Sequence, residues 1–233
     1  MIKKKGAVIA SAGSGSRMGI TTKKQYLKLD NKMIIQHTLD KFVATKRFDQ
    51  IVLVCDRENK LLLENLIKQS YSDNNVKILE GSDTRTKSVF KGITALDKDT
   101  QIVAIHDGVR PLINQEIIHR SLDMLQNEKK QAVVVCAPAI DTIKVATDNV
   151  VIKTLDRKSL WHAQTPQCFQ YELLLECMMK AIDSKMCFTD EASIIEYYGY
   201  PVHICPNPYI NQKITTQDDL DYVEFLLKRR GEI

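Results

Sequence analysis

No apolar run in these 233 residues approaches the ~20 that a membrane-spanning helix needs. Metal-type cysteine spacing is lacking too. The six cysteines, Cys55, Cys136, Cys168, Cys177, Cys187 and Cys205, form no C-x-x-C pair, and no Cys/His pair has zinc-ligand spacing. Most stand in apolar surroundings, which reads as free buried thiols in a reducing cytoplasm. Bulk positive charge is also missing. The formal net charge of +4 rests on six basic residues at the two ends, and without them 27 basic residues face 29 acidic ones. No broad basic field remains for nucleic acid, so an anionic ligand must be met by a local cluster. Repeats, low-complexity tracts and linkers are absent, which favours one domain. No Ser/His/Asp or Cys/His arrangement suggests a covalent nucleophile. The basic lead Met1–Lys5 runs straight into a short apolar stretch, which reads as a first strand and not as a signal peptide.

What is present is a globular composition, 44% hydrophobic and 27% charged. A chain of this length can bury roughly 70–75% of its unfolded surface. Short apolar runs at Ala7–Ala10, Ile51–Cys55, Val76–Leu79, Ile102–Ile105 and Ala132–Cys136 alternate with helical patterns over Ile34–Phe42, Leu61–Ile67, Val89–Leu96 and the stretch that Asn114 caps. That alternation predicts an α/β fold with a mainly parallel sheet covered by helices, whose ligands bind beyond the carboxyl ends of the strands. Thr142–Ala146 and Val150–Leu155, joined through Thr147-Asp148-Asn149, predict a two-stranded hairpin. An isolated hairpin is marginal in water, so this arm needs a partner, either its own domain or a second subunit. Helices are expected again over Gln170–Ser184, over Asp190–Tyr198 behind a Thr189 cap, and over Thr216–Arg230, where Thr216 and Asp219 form a capping box.

The chemistry concentrates in a few segments. Ser11-Ala12-Gly13-Ser14-Gly15-Ser16-Arg17-Met18-Gly19 follows the first strand and is followed by Lys23-Lys24-Gln25. Small residues let backbone N–H groups approach phosphate oxygens. The loop has neither Walker A spacing nor a complete dinucleotide fingerprint, since Met18 replaces the third glycine. On spacing alone it fits a plain strand-to-helix turn equally well. Arg17 and Lys24 favour an anion site, because fixed cations beside a backbone anion hole call for an anion. Asp107 ends a strand before Gly108, where a lone carboxylate suits either a turn or a Mg²⁺ ion shared with a triphosphate. Arg110, stiffened by Pro111, suits a phosphate. In Gly81–Ser88, Asp83 and Ser88 offer groups for a base edge, while Asp83 or Thr84 equally suits a helix cap. Trp161–Gln167 reads as a hinge for the arm or as part of a site, with His162 a structural histidine. Lys213 is expected on a short strand, reaching back toward a phosphate or lying exposed.

Taken together, Ala12-Gly13-x-Gly15-x-Arg17-Met18, Lys24-Gln25-Tyr26, Gly81-x-Asp83-x-Arg85-x-x-Ser88, His106-Asp107-x-x-Arg110-Pro111, Asp156-Arg157, Trp161–Gln167, Thr189–Ser193 and Lys213-Ile214-Thr215 resemble the 2-C-methyl-D-erythritol 4-phosphate cytidylyltransferases in order and along essentially the whole chain. The resemblance implies a single Rossmann-like nucleotidyltransferase domain over residues 1–233, with 141–165 as a dimerisation arm. It implies cytidylyl transfer from CTP to the sugar phosphate. Arg17 and Lys24 would stabilise the transition state, and Arg157 and Lys213 would position the acceptor. Ala12, Gly13, Gly15, Gly81, Asp83 and Ser88 would surround CTP, and Asp107 would hold Mg²⁺. Arg110, Thr142 and Thr189 would complete the sugar-phosphate site, with Thr142 and Arg157 supplied across a homodimer. A cytoplasmic enzyme without nucleic-acid or membrane partners is implied. The chain departs from the family pattern in having Lys23 where many members have Pro, Ser11 and Gly108 in place of alanines, and Gln212 in place of an apolar residue. A ribitol-phosphate (polyol-phosphate) cytidylyltransferase is the nearest alternative, but Trp161, His162-Ala163 and Glu191 resemble the methylerythritol-phosphate group more. A non-catalytic nucleotide-binding assembly protein would not require Arg17, Lys24 and Asp107 together.

Overall fold

A computed structural model of the chain describes residues 4–13, 23–184 and 186–233. In chain order these form β1 (Lys4–Ser11), β2 (Lys28–Leu29), β3 (Lys32–Met33), α1 (Ile34–Ala44), β4 (Gln50–Cys55), α2 (Lys60–Ser70), β5 (Val76–Glu80), α3 (Arg85–Thr94), β6 (Thr100–Asp107) and α4 (Gln115–Gln126). Then follow β7 (Ala132–Pro138), β8 (Lys144–Thr147), β9 (Val150–Thr154), β10 (Trp161–Gln170), α5 (Tyr171–Asp183), α6 (Glu191–Tyr197), β11 (His203–Pro206) and α7 (Gln217–Arg229). All five apolar runs became strands of one sheet, ordered β11-β7-β10-β6-β1-β4-β5.

The sheet is α/β and mainly parallel. β1 pairs in parallel with β4 and β6, β4 with β5, and β11 with β7. Strand side chains alternate, so each strand feeds two layers. Ala7 and Ile9 of β1 join Leu39 and Phe42 of α1, Leu63 of α2 and Ile117 of α4 on one face. Val8 joins Val89 and Ile93 of α3, Leu174 of α5 and Ile194 of α6 on the other. α7 lies apart, packing Val223 and Leu227 against Leu29, Ile34 and Ile214.

β10 is the exception. It runs antiparallel between β6 and β7, and its register breaks between Ala163 and Gln167. Trp161–Thr165, expected in the arm, therefore belong to this central strand. The hairpin itself is β8 and β9, a separate two-stranded sheet. Asp148 and Asn149 turn it with φ of 50° and 63°, the left-handed pair that a tight hairpin turn needs.

Three local expectations are corrected. Asp190, not Thr189, caps α6, because its carboxylate accepts from Ser193 N at 3.0 Å. Lys213 is not on a strand: the segment makes one backbone contact here, Ile214 N to Val109 O at 3.0 Å, too little for a ladder. His162 is exposed, not packed. Cys55, Cys136, Cys168, Cys177 and Cys205 are buried free thiols, and Cys187 is exposed. No helix among the described residues is long and apolar enough to cross a membrane.

Candidate active site

The parallel strands β1, β4, β5 and β6 all deliver their carboxyl ends to one edge, and two adjoining clefts open there. The larger, about 480 Å³, is lined by Ala12 and Gly13 after β1, Lys24, Asp83, Ser88 and the end of β6. The smaller, about 270 Å³, is lined by Arg110, Gln164, Thr165, Thr189 and Asp190. Arg85, Asp107 and Lys213 line both, so one charged group forms the common wall.

The walls of the larger cleft are fixed by short-range bonds. Gly81 follows β5, and a Cβ there would sit 2.6 Å from Ala12 Cβ and 2.9 Å from Ser88 Oγ. Glycine is what lets the two loops touch. Ser88 Oγ accepts from Ser82 N at 2.8 Å, and Thr84 caps α3. The exposed Asp83 carboxylate is held by Lys87 at 2.8 Å, and this bond lowers its pKa. Gln25, buried beside Lys24, donates to Ser11 O at 2.8 Å and to Gly13 O at 3.1 Å, which ties the glycine loop to the lysine segment. On the other side Tyr26 donates to Asp56 at 2.6 Å. Lys23 pairs with Asp56 at 3.1 Å and Glu58 at 3.0 Å. Lys23 thus ties the start of this segment by ion pairing to the residues that follow β4.

Asp107 is the electrostatic centre. Its carboxylate meets Lys213 Nζ at 3.0 Å, Arg110 Nε at 3.2 Å and Arg85 Nη2 at 3.4 Å. Burial opposes its charge, but Lys213, Arg85 and Arg110 override that and hold the carboxyl well below the usual range. Its backbone N–H donates to Thr165 Oγ1 at 3.1 Å. The adjacent His106 is wholly buried, which pushes its pKa down to about 3 and keeps the ring neutral. With the ring proton on Nε2, it donates to Arg110 O, and Nδ1 accepts from Thr165 at 2.9 Å. Arg110 also donates to Asn211 O at 2.8 Å, tethering the segment that carries Lys213.

The structure thus brings together Ala12, Gly13, Lys24, Gly81, Asp83, Ser88, Asp107, Arg110, Thr189 and Lys213. Gly15 and Arg17 lie outside the described residues. Thr142 and Arg157 line neither cleft. Both are exposed at the base of the hairpin, where Arg157 donates to Ile140 O at 2.7 Å. Sequence reasoning gave no site role to Arg85 and used Glu191 only to favour the methylerythritol-phosphate group, yet their charges meet at 2.7 Å across 106 positions of chain. Only their place inside quoted motifs pointed to them.

Among the described residues no group of three His, Cys, Asp or Glu stands ready for a metal. The donor set nevertheless fits Mg²⁺, which asks one or two protein carboxylates and fills its shell from phosphate and water. Asp107, ionised and at the wall of the larger cleft, is such a donor.

The sequence profile of the family described as IspD, 2-C-methyl-D-erythritol 4-phosphate cytidylyltransferase, matches residues 6–229. The chain is 37% identical over 228 residues to the 2-C-methyl-D-erythritol 4-phosphate cytidylyltransferase of Clostridioides difficile (strain 630), covering 97% of this chain and 95% of that one. It is 39% identical to the enzyme of the same description from Alkaliphilus oremlandii (strain OhILAs), covering 99% and 98%. The fold superimposes on the crystal structure of a 4-diphosphocytidyl-2C-methyl-D-erythritol synthase from Anaerococcus prevotii DSM 20548. There the TM-score is 0.86 at 30% identity, covering 97% of this chain and 99% of that one.

Proposed function

Because the chain belongs to the 2-C-methyl-D-erythritol 4-phosphate cytidylyltransferase family, we propose that its two joined clefts bring CTP and the sugar phosphate together. The enzyme transfers a cytidylyl group from CTP to 2-C-methyl-D-erythritol 4-phosphate, giving 4-CDP-2-C-methyl-D-erythritol and pyrophosphate. The observation that carries the assignment of residues is the common wall of Arg85, Asp107 and Lys213 between the clefts.

The larger cleft takes CTP. Asp83 and Ser88 face the base end, with Gly81 and Ala12 as the floor, and Gly13, Gly15, Arg17 and Lys24 meet the triphosphate. The smaller cleft takes the sugar phosphate, met by Arg110, Thr189 and Lys213. An oxygen of the acceptor phosphate attacks the α-phosphorus in line. As that P–O bond forms, the bond to the β-phosphate oxygen breaks, and the electron pair leaves with pyrophosphate. The attacking oxygen is already ionised near neutral pH, so no general base is needed. The protein's task is to hold two anions in line and to offset the charge that develops. Lys24 and Arg17 stabilise the α-phosphate in the transition state. Lys213 aims the acceptor. Asp107 would hold Mg²⁺, which when bound offsets triphosphate charge and polarises the α-phosphate.

The chain is read as one nucleotidyltransferase domain, with the hairpin arm joining two copies and carrying Thr142 and Arg157 to the neighbour's site. Val150, Val151 and Ile152 are 67%, 56% and 62% exposed on the two faces of β9, apolar surface that favours such pairing. Five buried free thiols fit a reducing cytoplasm.

Pyrophosphate release tests the reading. The full chain with CTP and Mg²⁺ should release pyrophosphate only when methylerythritol phosphate is added, with ribitol phosphate a poor substitute and a chelator abolishing the signal. Lys24→Ala should lower kcat by about 10²–10³-fold, as for loss of one oxyanion donor. Preference for ribitol phosphate would overturn the substrate, and a Lys24→Ala variant within a few-fold of wild type would overturn that residue's role.

A further inference from the structure

Arg85 opens α3 immediately after the Thr84 cap, and its side chain lines both clefts. Behind it lies Glu191, 1% exposed. Arg85 Nη1 donates to Glu191 Oε1 at 2.7 Å, while Nη2 reaches Asp107 only at 3.4 Å. A guanidinium carries five N–H donors, so most of this fork is uncommitted among the described residues.

Glu191 is fixed by its backbone. It is the first residue of α6, behind the Asp190–Ser193 capping box. Gln167 of β10 donates to Asp190 at 2.7 Å and accepts from Ala192 N at 3.0 Å, so the helix start is clipped to the central strand on both sides of Glu191. Its second oxygen, Oε2, is buried with no partner among the described residues. A buried carboxylate left half-satisfied costs stability, and a buried ion pair returns little of it. The consequence of the pair is geometric: a fixed carboxylate holds Nη1 of a guanidinium that lines both clefts at their junction.

The junction is where a dianionic acceptor must approach a triphosphate. Arg110 and Lys213, which also meet the acceptor, share the Asp107 carboxylate with Arg85, so the three cations stand together at the junction. The guanidinium fork suits a phosphate with two acceptor oxygens in a way a lysine point charge does not. We propose that Arg85 is a catalytic residue that grips the acceptor's phosphate where the two clefts join, with Glu191 as its positioning residue. This rests on the cytidylyl-transfer reading above.

The test uses the full chain with Arg85→Gln, Arg85→Lys and Glu191→Gln. Each is measured by steady-state kinetics with both substrates varied, by calorimetric CTP binding without acceptor, and by thermal melting. Arg85→Gln should lower kcat/KM for the sugar phosphate by about 10²-fold or more, with the Kd for CTP within threefold of wild type. Arg85→Lys should recover less than tenfold of that loss, because charge returns without the fork. Glu191→Gln should raise the acceptor KM about tenfold with the CTP Kd unchanged, since the acceptor oxygen is kept but its charge is lost. If Arg85→Gln fails to fold, Arg85→Lys decides by the same split. Acceptor kinetics within threefold of wild type in the Arg85 variants would overturn the assignment. So would an equal loss of CTP affinity, or a Glu191→Gln enzyme that differs only in melting temperature. A wild-type protein that releases no pyrophosphate would overturn the reaction and this role together.

Discussion

At Asp107 opposing forces act on one side chain, and their balance predicts a pH profile. Burial disfavours its charge; Lys213, Arg85 and Arg110 favour it and win, so its pKa in the fold is depressed. A depressed carboxyl stays ionised throughout the range in which an enzyme works and cannot set an acid limb there. His106, pushed to about 3 by burial, is silent over the same range. What still titrates is the acceptor, whose phosphate monoester has a second pKa of about 6. The expected profile of kcat/KM for the sugar phosphate therefore falls about tenfold per pH unit below about 6, as the dianion disappears. Asp107→Asn should lower kcat and leave that limb where it is. A limb near pH 4 in the wild type that vanishes in Asp107→Asn would show that the carboxylate itself controls the profile, contrary to this balance.

Among the secondary-structure elements, α7 links a local sequence signal to the site. The capping box at Thr216 and Asp219 was legible in the sequence and forms as expected. Asp219 does more than cap: its carboxylate accepts from Thr215 N and Thr216 N at 2.8 Å and from Gln212 Nε2 at 2.6 Å. It therefore holds the strandless segment that carries Lys213. Partial burial pushes its pKa up, but the Thr215 and Thr216 donors outweigh it and bring it down to about 2. Stability from a depressed carboxyl is present above the ordinary range near 4 and is lost as pH falls through its folded value. Asp219→Ala should cost about 1–2 kcal/mol at pH 7, the size of a lost cap. The gap in melting temperature from wild type should close between about pH 4 and 2. It should also raise the acceptor KM by loosening Lys213. A gap that stays constant down to pH 2 would contradict the cap's charge as its source.

The Thr216 capping box, buried parallel strands and the hairpin turn were readable because each is written in neighbouring residues. Asn114 and Thr216 cap as their spacing indicates, and Asp148-Asn149 turn as such pairs do. β10 was not readable as a central strand. Gln164, Thr165 and Gln167 break the apolar run because they serve a polar network, reaching Asn207, His106 and Asp190. The Arg85–Glu191 pair was hidden for a related reason: contact across 106 positions leaves no local periodicity. For the larger cleft, strand ends and small residues pointed to Ala12 and Gly13, while Gly81 came only with the family resemblance. The smaller cleft draws on β6, β10, the start of α6 and the Lys213 segment, which only the fold assembles.

Over the whole molecule, the arm leaves an imbalance within one chain. Among the described residues β8 and β9 pair only with each other, and a lone two-stranded hairpin is marginally stable in water. Yet Ile140 is 80% exposed beside them and β9 presents Val150, Val151 and Ile152 to solvent. Burying such side chains fully would contribute about 1.5–3 kcal/mol each, which a second copy can supply and a single chain leaves unused. The same geometry separates Thr142 and Arg157 from the clefts of their own chain. If the arms reach across a twofold axis, each active site takes its core from one subunit and its arm from the other. Two inactive variants then complement each other. In a mixed dimer of Lys24→Ala and Arg157→Ala, one site combines both lesions, while the other joins an intact core to an intact arm. Random mixing makes half of the dimers mixed, so pooled activity should reach about a quarter of wild type. Replacing residues 144–154 by a short glycine turn should give a monomer by sedimentation, with activity lost. Purified mixed dimers that regain no activity would mean that Arg157 does not act across the interface, and a monomeric wild type would leave the arm without its partner.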